Sequence, residues 1–163
     1  MKKNIVFRHL DAYEIQQYQR NRYPLLFIDY VEEVLPGKYA KGIKNFTYNE
    51  WFFPAHFADD PNVPGFIQIE ALTQMFLMTF LTLEGNKGKK TGFVSVKNAV
   101  FKKKIVPGDT LNIHAELESF SRGLARGTSV GKVENEVACQ VELVIAIPDV
   151  LMQYTPTKKR EQK

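Results

Sequence analysis

The segment Trp51 to Gln74, WFFPAHFADDPNVPGFIQIEALTQ, puts one histidine and one carboxylate into strongly apolar surroundings. His56 stands between Phe53 and Phe57, and fourteen residues later Glu70 falls inside a run that otherwise reads as core. Burial disfavours the charged form of each group, so a base and an acid in one dry place point to proton transfer. Taken alone, such a histidine is more often structural, its ring nitrogens bonded to backbone. A lone carboxylate among apolar residues is costly unless a purpose keeps it there.

The element that must carry Glu70 is a helix from Gly65 to Glu84, ended by Gly85. Its apolar residues, from Phe66 and Ile67 through Met75 and Phe76 to Leu83, cover nearly every angular position. A helix apolar all round is buried all round. Gln68, Glu70, Thr73, Gln74, Thr79 and Thr82 interrupt it and argue against a membrane span. Thr73 and Gln74 share a face with Glu70 at offsets of three and four, so either can hydrogen-bond it. Gln74 reads equally well as a packing residue, and Gly65 as a simple helix-start glycine.

Around this helix the pattern predicts strands. Asp11 and Glu14 form a capping box for a short helix ending near Gln19. Leu25 to Leu35 and Lys38 to Phe46 read as strands joined by a turn at Pro36 and Gly37. Thr91 to Phe101, Thr110 to Ser121, Gly127 to Val133 and Val137 to Ile147 follow, the last two as a hairpin. One buried helix among strands implies a sheet wrapped around it, an α+β fold.

The chain has 163 residues, 44% hydrophobic with 12 Phe, enough to bury about two-thirds of its surface as one domain. We expect that domain over residues 1–150 and a polar, disordered tail over residues 151–163. The tail carries Lys158, Lys159, Arg160 and Lys163 against Glu161, which accounts for most of the net charge of +4. The basic balance is therefore no sign of nucleic-acid binding. A single Cys139, expected as a small core residue, fits a reducing compartment, and three scattered histidines give no metal-ligand spacing. The N-terminus lacks a signal-peptide core, so the cytoplasm is the default location. Lys102, Lys103 and Lys104 run together, with Arg122 farther on. They read either as a docking patch for an acidic partner or as lysines protecting a strand edge.

NRYPLLFIDYV, KNFTYNEWFFPAHF, NVPGFIQIEALTQ, FKKKIVPGD and the final alternating hairpin together resemble the β-hydroxyacyl-acyl carrier protein dehydratases of bacterial fatty acid synthesis. The likeness runs from about Asp11 to Ile147. It implies the hot dog fold, a curved antiparallel sheet wrapped around a long central helix. It also implies dehydration of a (3R)-hydroxyacyl thioester on acyl carrier protein to the trans-2-enoyl thioester, with no metal and no organic cofactor.

In that family the residue matching His56 is the base at C2 and the one matching Glu70 assists departure of the hydroxyl. A backbone N–H at the helix start, here Gly65, polarises the thioester carbonyl, and Gln74 supports Glu70. The resemblance further implies a homodimer, at times a trimer of dimers, in which His56 of one copy faces Glu70 of the other. Phe53, Phe57, Phe66 and Phe93 are then expected to wall the acyl tunnel, and Lys102, Lys103, Lys104 and Arg122 to dock the carrier.

Ala55 stands where the family has glycine, Ala58, Asp59 and Asp60 replace its Pro-Gly, and Gly92 replaces a frequent tyrosine. Two other readings stand beside the dehydratase. One is a hot dog thioesterase using Asp59 or Asp60 as base, and the other is a catalytically silent acyl-thioester binding module.

Overall fold

The computed structural model describes residues 6–154. Seven strands form one antiparallel sheet in the order β1-β2-β3-β5-β6-β7-β4. They are β1 (Phe7–Leu10), β2 (Tyr30–Leu35), β3 (Tyr39–Asn45), β4 (Gly92–Phe101), β5 (Thr110–Ser121), β6 (Leu124–Val133) and β7 (Glu136–Ala146). Three helices accompany them: α1 (Ala12–Tyr18), α2 (Gly65–Leu81) and α3 (Pro148–Leu151). This is the expected hot dog arrangement, with α2 packed on the inner face of the curved sheet.

Local chemistry accounts for most boundaries. Asp11 caps α1 through the N–H groups of Tyr13 and Glu14, while Glu14 returns a bond to the Asp11 N–H, completing the capping box. The turn between β6 and β7 places Glu134 and Asn135 at φ of 50° and 67°, a pairing typical of two-residue hairpins. β1 was not foreseen, because four residues near the N-terminus carry too little alternation to be read.

β2 starts five residues later than the predicted strand. The reason is visible at Leu25 and Phe27, whose backbone groups bond the side chain of Gln74 on α2 instead of a neighbouring strand. The predicted tail begins with the end of α3 and a 3₁₀ turn at Met152–Tyr154. Its remainder, residues 155–163, lies outside the described residues.

The core sits between α2 and the sheet. Inward positions alternate along β5 (Leu111, Ile113, Ala115) and β7 (Val141, Leu143, Ile145), all buried. Phe76 packs edge-on against Phe80, which stacks on Phe120 at 5.5 Å. Cys139 is fully buried, and burial pushes its thiol up to about 12. Two sheet glycines allow the helix to come this close. A Cβ on Gly42 would stand 2.6 Å from Met75 Cε, and one on Gly127 would stand 2.7 Å from Phe76 Cε2 and collide with the Glu116 carbonyl oxygen. Gly127→Ala should therefore destabilise the fold by at least about 2 kcal/mol, read as a lower urea midpoint at unchanged slope.

The outer strand β4 is unusual. It lies at the sheet edge, yet Phe93, Val94, Val96, Val100 and Phe101 are each 38–56% exposed. A long apolar edge strand in water invites a partner. Among the described residues no helix is long and apolar enough to cross a membrane.

Candidate active site

His56 is delivered by a short 3₁₀ turn, Phe53–Ala55, begun by Pro54 at a position that needs no N–H donor. Phe52 and Phe53 anchor this turn in the core, packed edge-on at 4.8 Å. The histidine then closes a small loop on itself: its carbonyl accepts the Asn62 N–H at 2.9 Å, and its Nδ1 lies 3.1 Å from the Asn62 carbonyl oxygen. A carbonyl can only accept, so Nδ1 carries the proton and Nε2 is left with a lone pair. The ring is half-buried and stacks on Phe57 at 4.4 Å. Oriented and with one nitrogen free of protein partners, it is arranged as a base.

Glu70 lies one and a half turns into α2. Its Oε1 accepts from Gln74 Nε2 at 2.8 Å and from Asn21 Nδ2 at 3.1 Å. Oε2 has no hydrogen-bond partner among the described residues. Gln74 is wholly buried and fully used, since Nε2 also donates to the Leu25 carbonyl and Oε1 accepts the Phe27 N–H, both at 2.7 Å. It therefore holds Glu70 and the Leu25–Phe27 segment together. Thr73, the other candidate partner, donates to the Ile69 carbonyl within its own helix.

Asn21 was not foreseen. Its sequence signal is slight, an amide between two arginines, and its partner lies 49 residues away.

Beside Glu70 opens a cavity of about 410 Å³ lined by Leu25, Phe27, Phe66, Ile67, Ile69, Phe93 and Val96. Such a wall suits a hydrocarbon chain. Phe66 and Phe93 thus stand where a tunnel wall was expected. Phe53 does not, because it is 1% exposed and belongs to the core. Phe57 is half exposed against His56. No part of the 53–57 segment lines this cavity, and no hydrogen bond joins His56 to Glu70 within the chain.

Gly65 opens α2 with an N–H that finds no acceptor among the described residues, as first-turn donors do. The close approach that glycine permits here is made by the Phe101 ring, 3.1 Å from where a Cβ would lie. A donor with positive helix dipole behind it can receive a developing oxyanion.

The expected docking cations are dispersed. Lys104 holds Asp60 at 2.6 Å, fastening the His56 loop, and Lys103 sits between Glu134 and Glu136 at 3.4 and 3.0 Å. Arg122, on the β5–β6 turn, lies over the Tyr154 ring. Strand register puts Leu124 and Gly92 opposite Ala146 but Phe101 opposite Cys139. Arg122 is thus at the other end of β4 from Lys102, about 30 Å away at strand rise, and the four cannot make one patch in a single chain. Asp60, a candidate thioesterase base, is committed to Lys104.

Residues 20–144 match the model of the FabA-like domain. The 3-hydroxyacyl-[acyl-carrier-protein] dehydratase FabZ of Bacillus licheniformis is 41% identical over 138 residues, covering 85% of this chain and 96% of that relative. The dehydratase of the same name from Bacillus subtilis is also 41% identical, over 85% and 98% of the two chains. Among solved structures, a chain of the dehydratase heterocomplex ApeI:P from Xenorhabdus doucetiae superposes with a TM-score of 0.74 at 14% identity, over 90% of this chain and 98% of its own. That likeness concerns the fold.

Proposed function

The chain belongs to the FabA-like family of 3-hydroxyacyl-acyl carrier protein dehydratases, and from this membership we propose that His56, Glu70 and the Gly65 N–H perform the elimination of water. The reaction converts a (3R)-hydroxyacyl thioester to the trans-2-enoyl thioester. The observation that carries the site assignment is the free Oε2 of Glu70 on the wall of an apolar cavity, with Oε1 held by two amides.

Each step then has a group. His56 Nε2 takes the proton at C2, and the charge that develops on the thioester oxygen is received by the Gly65 N–H. Glu70 Oε2 holds the C3 hydroxyl as the C3–O bond breaks. The hydroxyl leaves with the bonding pair and, with the proton lost from C2, departs as one water.

A single copy does not bring these two side chains into one cavity. We take the site to form in a homodimer that covers the apolar edge of β4, with His56 of one copy facing Glu70 of the other. The exposed aromatic and branched residues of β4 support this pairing. The described residues surround one core, in keeping with a single domain over residues 1–150. The partner is a carrier protein bearing the acyl group, in the cytoplasm.

Incubation with crotonyl and 3-hydroxybutyryl thioesters tests the reaction. Interconversion of the two without release of free thiol is the expected outcome. Thiol release would instead make the protein a thioesterase, and tight carrier binding with no turnover would make it a binding module.

A further inference from the structure

A second group of cations flanks, along the chain, two residues that line an opening beside Glu70, and none of them has a carboxylate partner among the described residues. On the side of Glu70 toward Leu77, a depression of about 220 Å³ is lined by Asn21, Thr73, Thr91, Gly92, Phe93 and Ile145. Its rim comes from two segments tied to each other: the Gly88 N–H donates to the Tyr18 carbonyl at 2.9 Å, and Arg20 Nε donates to the Gly88 carbonyl at 2.8 Å. The first segment carries Arg20 and Arg22 on either side of Asn21. The second carries Lys87, Lys89 and Lys90 immediately before Thr91.

The contrast with the paired lysines of the sheet and the His56 loop is chemical. Lys44, Lys103 and Lys104 each sit against carboxylates. Here the acceptors are neutral. Arg22 donates to the carbonyls of Gln16, Gln19 and Asn21, and Lys87 donates to Gln17 Oε1 while lying over the Tyr18 ring. Lys89 and Lys90 have no side-chain partner among the described residues. Such bonds order the side chains and leave their charge uncompensated. Asp11 and Glu14 are engaged with each other at the far end of α1, and Glu84 is the remaining carboxylate nearby in the chain.

Unneutralised positive charge flanking a depression that shares Glu70 and Phe93 with the acyl cavity fits an acidic surface, with the gain of electrostatic complementarity appearing as faster and tighter docking. We infer that the acidic face of the carrier protein docks on Arg20, Arg22, Lys87, Lys89 and Lys90, and not on the lysines at 102–104. This rests on the dehydratase reading above. It also places the acyl arm's entry beside Asn21 and Gly92, where a Cβ at Gly92 would meet nothing within 4 Å.

Charge reversal at Arg22, Lys89 and Lys90 (R22E/K89E/K90E) tests it, using crotonyl-carrier protein and the crotonyl thioester of N-acetylcysteamine. The triple variant should raise KM for the carrier substrate at least about tenfold and flatten its salt dependence. Turnover of the small thioester, which has no acidic surface to dock, reports that the fold and site are intact. K102E, at a lysine with no side-chain partner among the described residues, should leave KM for the carrier substrate within about twofold. An unchanged KM in the triple variant overturns the docking surface, as does a tenfold rise in K102E. A wild-type protein inactive on both substrates would instead remove the dehydratase reading itself.

Discussion

His56→Ala should lower turnover of a 3-hydroxyacyl thioester at least about a hundredfold, and Glu70→Gln should lower it by a similar factor. The two losses have different physical origins. His56→Ala deletes the free Nε2 proposed as the base at C2, while the loop stays closed through the Asn62 N–H and the His56 carbonyl, which are backbone groups. Glu70→Gln keeps the volume and the acceptor toward Asn21 and Gln74 but replaces Oε2 by an amide nitrogen. An acceptor facing the C3 hydroxyl becomes a donor that can neither hold nor pass its proton. Because both variants preserve packing, the drop belongs in kcat with an unchanged melting profile. Rates near wild type for either variant, with the protein folded, would remove that residue from the mechanism.

Co-expressed in equal amounts, these two variants should recover activity. If a site draws His56 from one copy and Glu70 from the other, a mixed dimer has one site with both lesions and one with none. Random pairing makes half the dimers mixed, so recovery should reach about one quarter of the wild-type rate. Were both groups of a site supplied by the same chain, every site would keep one lesion and the mixture would stay as inactive as its parents. The absence of any His56–Glu70 contact within the chain, together with the uncovered apolar face of β4, is why recovery is expected.

The elements were legible because their signals are local. Period-two alternation marked β3, β5 and β7, the capping box marked α1, and a run apolar on all sides marked α2 as the buried helix. His56 and Glu70 were legible for the same reason, as ionisable residues inside apolar runs. The bond from Gln74 to Glu70 follows from helical spacing alone.

What failed was whatever depended on distant parts of the chain. Phe53 looks like Phe66 in sequence, but the 3₁₀ turn rotates it into the core while Phe66 is left 64% exposed. Lys103 and Lys104 read as free charge until the fold set Glu136 and Asp60 against them. Arg122 appeared to join them, and the sheet register sends it to the opposite end of β4. Residues 25–29 have strand composition, yet Gln74 takes the Leu25 carbonyl and the Phe27 N–H.

Sequence by itself determined which groups are candidates for the chemistry and which elements hold them, since side-chain type and the periods of helix and strand are properties of neighbouring residues. The tertiary structure decided how those groups are used. Only folding brought Asn21 to Glu70, set Arg20 against the Gly88 carbonyl, and opened the cavity, because contacts across tens of residues are set by topology and packing and leave no local pattern to read.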